Sequence, residues 1–115
     1  MSFVLSLRLQ CEPLRSLAAA SINGVYMGVG TSMAHPIRMF VLQNFTDAAV
    51  IFSLDGINDH IPMPANGYLV LDLCANKTLE SGYYYAEGQR MYVKALAGNP
   101  TTGSVYISTF YGAST

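Results

Sequence analysis

The densest group of possible metal ligands in this sequence runs from Asp55 to His60 and reads Asp-Gly-Ile-Asn-Asp-His. Oxygen ligands on a glycine-containing turn are the type that calcium takes, which makes Asp55, Asn58 and Asp59 a calcium candidate. The EF-hand pattern is absent, because the glycine comes at the second position and no glutamate follows at the place of the bidentate ligand. The favoured interpretation is an ordinary turn, in which Asp and Asn bond to the nearby backbone.

The histidines and cysteines form no transition-metal motif. The chain has two of each, His35, His60, Cys11 and Cys74, without Cys-x-x-Cys or His-x-x-x-His spacing. The two cysteines fall in different apolar segments, and a disulfide needs those segments to be adjacent, which sequence does not show. We therefore favour buried free thiols that act as small hydrophobes, and two ordinary loop histidines.

Motifs for covalent or cofactor chemistry are missing as well. No serine lies in a Gly-x-Ser-x-Gly elbow, and Gly28-Val29-Gly30 lacks the third glycine and the following helix of a dinucleotide site. The sequence predicts no catalytic residue, no cofactor and no enzymatic activity.

Composition indicates a protein that works in contact with other subunits. Of 115 residues, 51% are hydrophobic and 11% are charged, against about 25% charged in ordinary soluble domains. So few charges cover a monomer's surface thinly, which predicts a homo-oligomer. The alternative is a monomer coated with small polar residues and tyrosine. The six basic residues are scattered, which argues against sequence-driven nucleic-acid binding.

Hydropathy predicts neither membrane insertion nor export. No uninterrupted apolar run approaches the roughly 20 residues of a membrane-spanning helix. No basic region precedes the apolar N-terminus, so we expect synthesis in a reducing cytoplasm.

The elements that would position these residues are short strands. Apolar runs recur at roughly ten-residue spacing between turns rich in Gly, Pro, Asn and Asp, which predicts an all-β fold. We expect a single β-sandwich or jelly-roll-like domain of about eight antiparallel strands, with almost no helix. Ile37 to Gln43 is predicted to be buried on both faces, with Ala49 to Leu54 as its return strand. Two prolines place Ile61 to Pro64 at a sheet edge.

We describe residues 1–20 as an N-terminal segment and residues 21–115 as the sandwich domain. The role of the N-terminal segment has two interpretations. Its first residues alternate with period two, typical of a strand with one buried face that ends at Glu12-Pro13. It is either an extended arm that adds a strand to a neighbouring subunit or the first strand of its own sheet.

Aromatic residues in the C-terminal third give a second candidate contact region. Tyrosine offers contact area at low entropic cost, although the same rings are compatible with a sugar-binding platform or with the rim of the core. The predicted interface residues from both regions are Phe3, Leu5, Leu7, Leu9, Tyr83, Tyr84 and Tyr85.

Several turn segments resemble those of small structural proteins of tailed bacteriophages. They are Asn44-Phe45-Thr46-Asp47, Phe52 to His60 and Pro64 to Gly67, followed by closing strands at Met91 to Gly98 and Gly103 to Ile107. The resemblance covers residues 22–112 and consists of turn chemistry. It implies a virion protein without a cofactor, made in the host bacterial cytoplasm and present in multiple copies in a symmetric assembly. The implied position is capsid decoration, the head–tail junction or the tail, with capsid, portal, adaptor or tail subunits as partners.

A binding module is the alternative function. In that case the protein is a carbohydrate- or receptor-binding accessory of a tail or fibre. The tyrosine-rich end or the Asp55–His60 loop would then recognise a host glycan.

Overall fold

The computed structural model of the protein describes residues 7–73 and 85–114. These ranges contain nine β-strands and one 3-10 turn at Ala19–Ser21, with no α-helix, and they confirm the predicted all-β fold. The strands are β1 Leu7–Cys11, β2 Arg15–Ala18, β3 Met27–Gly28, β4 Met39–Asn44, β5 Val50–Ser53, β6 Ile61–Met63, β7 Tyr68–Asp72, β8 Tyr92–Ala95 and β9 Ser104–Ser114.

The strands form two antiparallel sheets that pack as a β-sandwich. In the five-stranded sheet, β1 and β2 follow one another along one side of the long strand β9, and β4 and then β7 lie on its other side. The four-stranded sheet has the order β3-β8-β5-β6. The prolines correctly predicted β6 as an edge, since Pro62 lies on this outermost strand.

The core lies between the two sheets and follows from period-two alternation. On β9, Val105 and Ile107 are fully buried, whereas the intervening residues are only half-buried. Phe40 on β4 and Phe52 on β5 are the largest fully buried side chains. Each contributes about 1.5–3 kcal/mol through removal of its apolar surface from water.

Two predictions about the middle strands are wrong. Burial alternates along β4, with Phe40, Leu42 and Asn44 buried, so this strand is not covered on both faces. The strand buried on both faces is β5 instead. It is not the return strand of β4, because β5 pairs with β6 and β8 in the other sheet. The connection between β4 and β5 is therefore a corner that links the sheets.

Asn44 holds that corner together from a fully buried position. Its Nδ2 donates to the carbonyl oxygens of Ala48 and Pro64, both at 3.0 Å, and its Oδ1 accepts from the backbone N–H of Thr46 at 3.0 Å. Gly103 lies against the same corner with a φ of +85°, and a Cβ there would be 2.0 Å from the Phe45 carbonyl oxygen. Only glycine fits so close an approach in that conformation.

A β-bulge separates β1 from β2. Cys11 pairs with Phe110 and Arg15 pairs with Ile107, so residues 12–14 lie opposite only Ser108 and Thr109. The extra residue reverses the faces: Leu9 and Cys11 point outward before the bulge, whereas Arg15 and Leu17 point inward after it. Residues 7–18 are thus strands of the protein's own sheet, the second of the two interpretations. Residues 1–6 lie outside the described part of the chain.

Candidate functional site

The side of the five-stranded sheet turned away from the core has a distinct chemical character, and we call it the outer face. Strand register places fourteen described side chains on it, and Asp72 is the one formal charge among them. They are Leu9, Cys11, Ser16, Ala18, Met39, Val41, Gln43, Tyr68, Val70, Asp72, Ser104, Tyr106, Ser108 and Phe110.

These side chains form rows across the strands. One row runs from Cys11 through Phe110 to Met39, and the next joins Ser108 and Val41 to Val70. Side chains opposite one another on neighbouring antiparallel strands lie about 4.5–5.5 Å apart, so the rows make a continuous surface. A surface that is contiguous, apolar and nearly uncharged typically marks a contact with another molecule.

One end of the outer face is aromatic. Tyr106 and Tyr68 flank Gln43 in the third row, and Tyr68 is 73% exposed. Phe45, 52% exposed at the corner, extends the row, with its ring edge-on to Tyr106 at a centroid distance of 5.5 Å. Large rings that combine apolar area with a polar tip are typical of interface anchors.

The predicted interface residues divide into three groups. Leu9 lies on the outer face and is 67% exposed, and Leu7 is the β1 residue opposite Ser114. Tyr85 needs correction because it belongs to the core, where its hydroxyl donates to the carbonyl oxygen of Arg90 at 3.0 Å and burial raises its pKa to about 12. The predictions that lie outside the described residues are Phe3, Leu5, Tyr83 and Tyr84.

Most outer-face residues were missed by sequence reasoning, although the alternation of β9 carried a signal. Tyr106, Ser108 and Phe110 share one face of that strand, and Val105 and Ile107 share the other. What the sequence does not reveal is the strand order that sets Val41 and Val70 beside them.

Cys11 is also exposed on this face, which corrects the prediction that it is a buried thiol. Cys74 lies outside the described residues.

The hydrogen bonds of the Asp55–His60 loop are those of a turn. Oδ1 of Asp55 accepts from the backbone N–H groups of Ile57 at 2.8 Å and Asn58 at 2.9 Å, and from the hydroxyl of Ser53 at 2.9 Å. Its Oδ2 accepts from the side-chain amide of Asn58 at 3.1 Å. The backbone N–H donors of Asn58 and Ile57 hold the pKa of Asp55 well below its usual range.

Asp59, the other carboxylate of the calcium candidate, faces different partners. It accepts a hydrogen bond from the Tyr26 hydroxyl and lies 3.3 Å from Nζ of Lys94. The Lys94 ammonium also lies over the Tyr26 ring, 4.7 Å from its centroid. The Tyr26 hydrogen bond and the Lys94 charge lower the pKa of Asp59. Both carboxylates thus have partners within the protein, and no group of three His, Cys, Asp or Glu residues suited to a metal ion occurs in the described ranges.

We therefore expect thermal stability to be independent of calcium. Wild-type protein should melt at the same temperature with excess calcium and with chelator, and D55N should show the same lack of response. A ligand that binds only the folded state raises the melting temperature. A shift of several degrees on chelation in the wild type that disappears in D55N would contradict this interpretation.

A buried ionic cluster lies at the bulge between β1 and β2. The Glu12 carboxylate accepts from Nη2 of Arg15 at 2.6 Å and from the backbone N–H of Ala34 at 3.1 Å, and it lies 2.5 Å from Nδ1 of His35. Burial acts to raise the pKa of Glu12, but the hydrogen bonds and charges of Arg15 and His35 outweigh it and lower the pKa. The ring of His35 stacks on Tyr111 with a centroid distance of 3.6 Å.

The Arg15 guanidinium completes the cluster through further hydrogen bonds. It donates to the carbonyl oxygens of Thr31 at 2.9 Å and Ser32 at 3.1 Å, and to the Thr109 hydroxyl at 2.9 Å. These bonds tie the bulge to the segment before β4, which indicates a structural role. His60, by contrast, accepts from the backbone N–H of Leu54 at 3.0 Å, so the two histidines belong to separate networks.

Comparison with known proteins gives no family for this chain. No protein-family model matches it, and no curated protein or solved structure shows significant similarity to it. In the described ranges no helix is both long and apolar enough to cross a membrane.

Proposed function

We propose that the protein is a non-enzymatic structural subunit that assembles in multiple copies through its outer face. The observation that carries this proposal is the composition of that face, where one charge accompanies apolar, aromatic and small polar side chains across four adjacent strand positions. Burial of each large apolar side chain contributes about 1.5–3 kcal/mol. Association costs about 4–15 kcal/mol, so several of them must be covered together.

The kind of assembly we propose is a tailed-bacteriophage virion, with this protein at the head–tail junction, in the tail or on the capsid. Its partners would be copies of itself and capsid, portal, adaptor or tail subunits. Supporting this are the turn segments that resemble those proteins: Asn44–Asp47 forms the corner between the sheets, and Asp55 organises the loop that follows β5. Such rigid corners suit a subunit that must present a fixed surface.

A charge on the outer face is expected to weaken assembly. L9K and F110K each place an ammonium group against apolar side chains of a neighbouring subunit, so each should shift the protein toward monomer by about tenfold or more. I57K is the matched control, because Ile57 is 79% exposed but lies in the Asp55–His60 loop outside the outer face. Sedimentation velocity at several concentrations measures the shift.

Circular dichroism establishes whether all three variants retain the β-fold. If L9K and F110K sediment like the wild type, or if I57K dissociates as readily as they do, the outer face is not the contact surface.

Negative-stain electron microscopy of the wild type adds a test of the virion assignment. Rings or ordered lattices are the expected particles for a connector, tail or capsid component.

Glycan binding is the second candidate function, and the exposed aromatic row at one end of the outer face favours it. Tyr68, Phe45 and Tyr106 present rings against which sugar rings can stack. A glycan array identifies such a ligand, and binding that is lost in Y68A would support this candidate over the structural role.

A further inference from the structure

The sequence contains two Asn-Gly pairs, and the structure places them in turns with different hydrogen bonds. Asn23-Gly24 lies between the 3-10 turn and β3, and Asn66-Gly67 lies between β6 and β7, with both asparagines exposed. Asparagine is a chemically labile residue. The backbone nitrogen of the next residue can attack its side-chain amide, and glycine leaves that nitrogen unhindered. The two turns therefore place the same chemistry in two environments.

The side chain of Asn23 is folded back over the peptide that follows it. Its Oδ1 accepts from the Val25 backbone N–H at 2.8 Å, which is the arrangement of an Asx turn. This hydrogen bond closes a ring around the Asn23–Gly24 peptide, so it holds the amide carbon Cγ near the Gly24 nitrogen. The Val25 N–H also lies on the oxygen that becomes negative when the nitrogen attacks, as a donor in an oxyanion hole does.

The nitrogen of Gly24 is open to base. Within the described ranges no hydrogen bond engages the Gly24 N–H. A Cβ at this position would have no atom beyond its chain neighbours within 4 Å. Water and hydroxide therefore reach the nitrogen, and the glycine has room to rotate as a ring closes.

The turn at Asn66 holds the equivalent nitrogen in place. The Gly67 N–H donates to the Pro64 carbonyl oxygen at 3.0 Å, and the Gly67 carbonyl oxygen accepts from the Asn44 N–H at 2.9 Å. The nitrogen must lose its proton in order to attack, and a hydrogen bond made by that proton opposes the loss. Gly67 is also tightly packed, because a Cβ there would lie 2.9 Å from the Pro64 oxygen.

We propose that Asn23 is a site of spontaneous deamidation and that the turn at Asn66 protects that residue from the same reaction. The Gly24 nitrogen gives its proton to hydroxide and attacks Cγ of Asn23. A C–N bond forms, the bond from Cγ to Nδ2 breaks, and ammonia leaves with a proton taken from water. Water then opens the resulting cyclic succinimide, at Cγ to give aspartate or at the main-chain carbonyl to give isoaspartate. The inference is independent of the proposed assembly.

The modification changes both charge and backbone just before β3. Each product adds one negative charge to a chain of formal net charge −1. Isoaspartate also lengthens the main chain by one carbon next to Ile22, which lies in the core. It turns the carbonyl that accepts from the Ala95 N–H at 2.7 Å into a free carboxylate. Ageing would therefore produce charge forms that differ at the β3 edge of the four-stranded sheet.

Peptide mass spectrometry of folded wild-type protein, stored at mildly alkaline pH, tests the proposal. Asn23 should convert at least about tenfold faster than Asn66, because only its turn supplies both the donor and the open nitrogen. The same measurement on the chain unfolded in urea is the control, and there the two rates should be similar because the turns are lost. Equal rates at the two sites in folded protein would overturn the proposal, as would the same ratio of rates in folded and unfolded protein.

Variants at position 25 test the hydrogen bond that assists the reaction. V25P removes the N–H that contacts Oδ1 of Asn23, whereas V25A keeps it and is the matched control. Conversion of Asn23 should be about tenfold or more slower in V25P than in V25A. Circular dichroism establishes that both variants retain the β-fold. Equal rates in the two folded variants would contradict the geometry that makes Asn23 reactive.

Discussion

Replacement of Arg15 with alanine is expected to lower the free energy of unfolding by about 3–5 kcal/mol. Arg15 is 5% exposed and is the cation that Glu12 contacts at 2.6 Å, and the Glu12 side chain is itself 2% exposed. Its removal leaves a buried carboxylate without its main counter-charge, and it leaves the carbonyl oxygens of Thr31 and Ser32 without donors. Urea-induced unfolding followed by circular dichroism measures the loss.

Removal of both charges should cost less than removal of one. In E12Q/R15M the carboxylate that needs compensation is gone and the packing volume is largely kept, so much of the stability lost in R15A should return. R90A is the control, because Arg90 is exposed and donates to the Gly30 carbonyl oxygen at 2.7 Å. A change of less than about 1 kcal/mol is expected there. Equal losses in R15A and R90A would contradict the structural role assigned to Arg15 in the buried ionic cluster.

The substitution N44D is expected to destabilise the corner between the sheets by about 3 kcal/mol or more. The change replaces Nδ2, which donates to Ala48 and Pro64, with an oxygen that cannot donate when ionised and is repelled by their carbonyl groups. Asn44 is fully buried, so water cannot replace the lost donors. In a domain of this size, such a loss lowers the melting temperature by more than about 10 °C.

The matched control for N44D is N99D, the same chemical change at an exposed loop position. Surface substitutions of this kind usually change the free energy of unfolding by less than about 0.5 kcal/mol. If the two variants melt at the same temperature, the hydrogen bonds of Asn44 do not hold the corner.

Local chemistry in the sequence predicts the fold class and several boundaries. Alternation along Val105 to Phe110 gives β9 its inward and outward faces, and Pro62 places β6 at an edge. The division of strands between the two sheets cannot be predicted from local sequence, because it depends on contacts between distant residues. Asn44 to Asp47 has the composition of a hairpin turn, but the hydrogen bond from Asn44 to Pro64, twenty positions away, makes it a corner.

The sequence predicts that the protein has a contact surface, but it does not predict where on the fold that surface lies. The low content of charged residues predicts contact with other subunits, which stays a prediction. The location of the surface depends on pairing between the first and last described strands, β1 and β9, and on one extra residue at the bulge that turns Leu9 outward. Period-two patterns cannot reveal either feature, since a single inserted residue exchanges the two faces of a strand. Residue type alone also misplaced Tyr85, because tyrosine is common both at interfaces and at the edge of a core.

The most direct test of the assembly role is static light scattering of the purified wild-type protein across a concentration series. We expect a weight-average mass that is a multiple of the 12.4 kDa chain and that falls in L9K and F110K but not in I57K. A mass that stays at 12.4 kDa at every concentration would contradict the proposed assembly through the outer face.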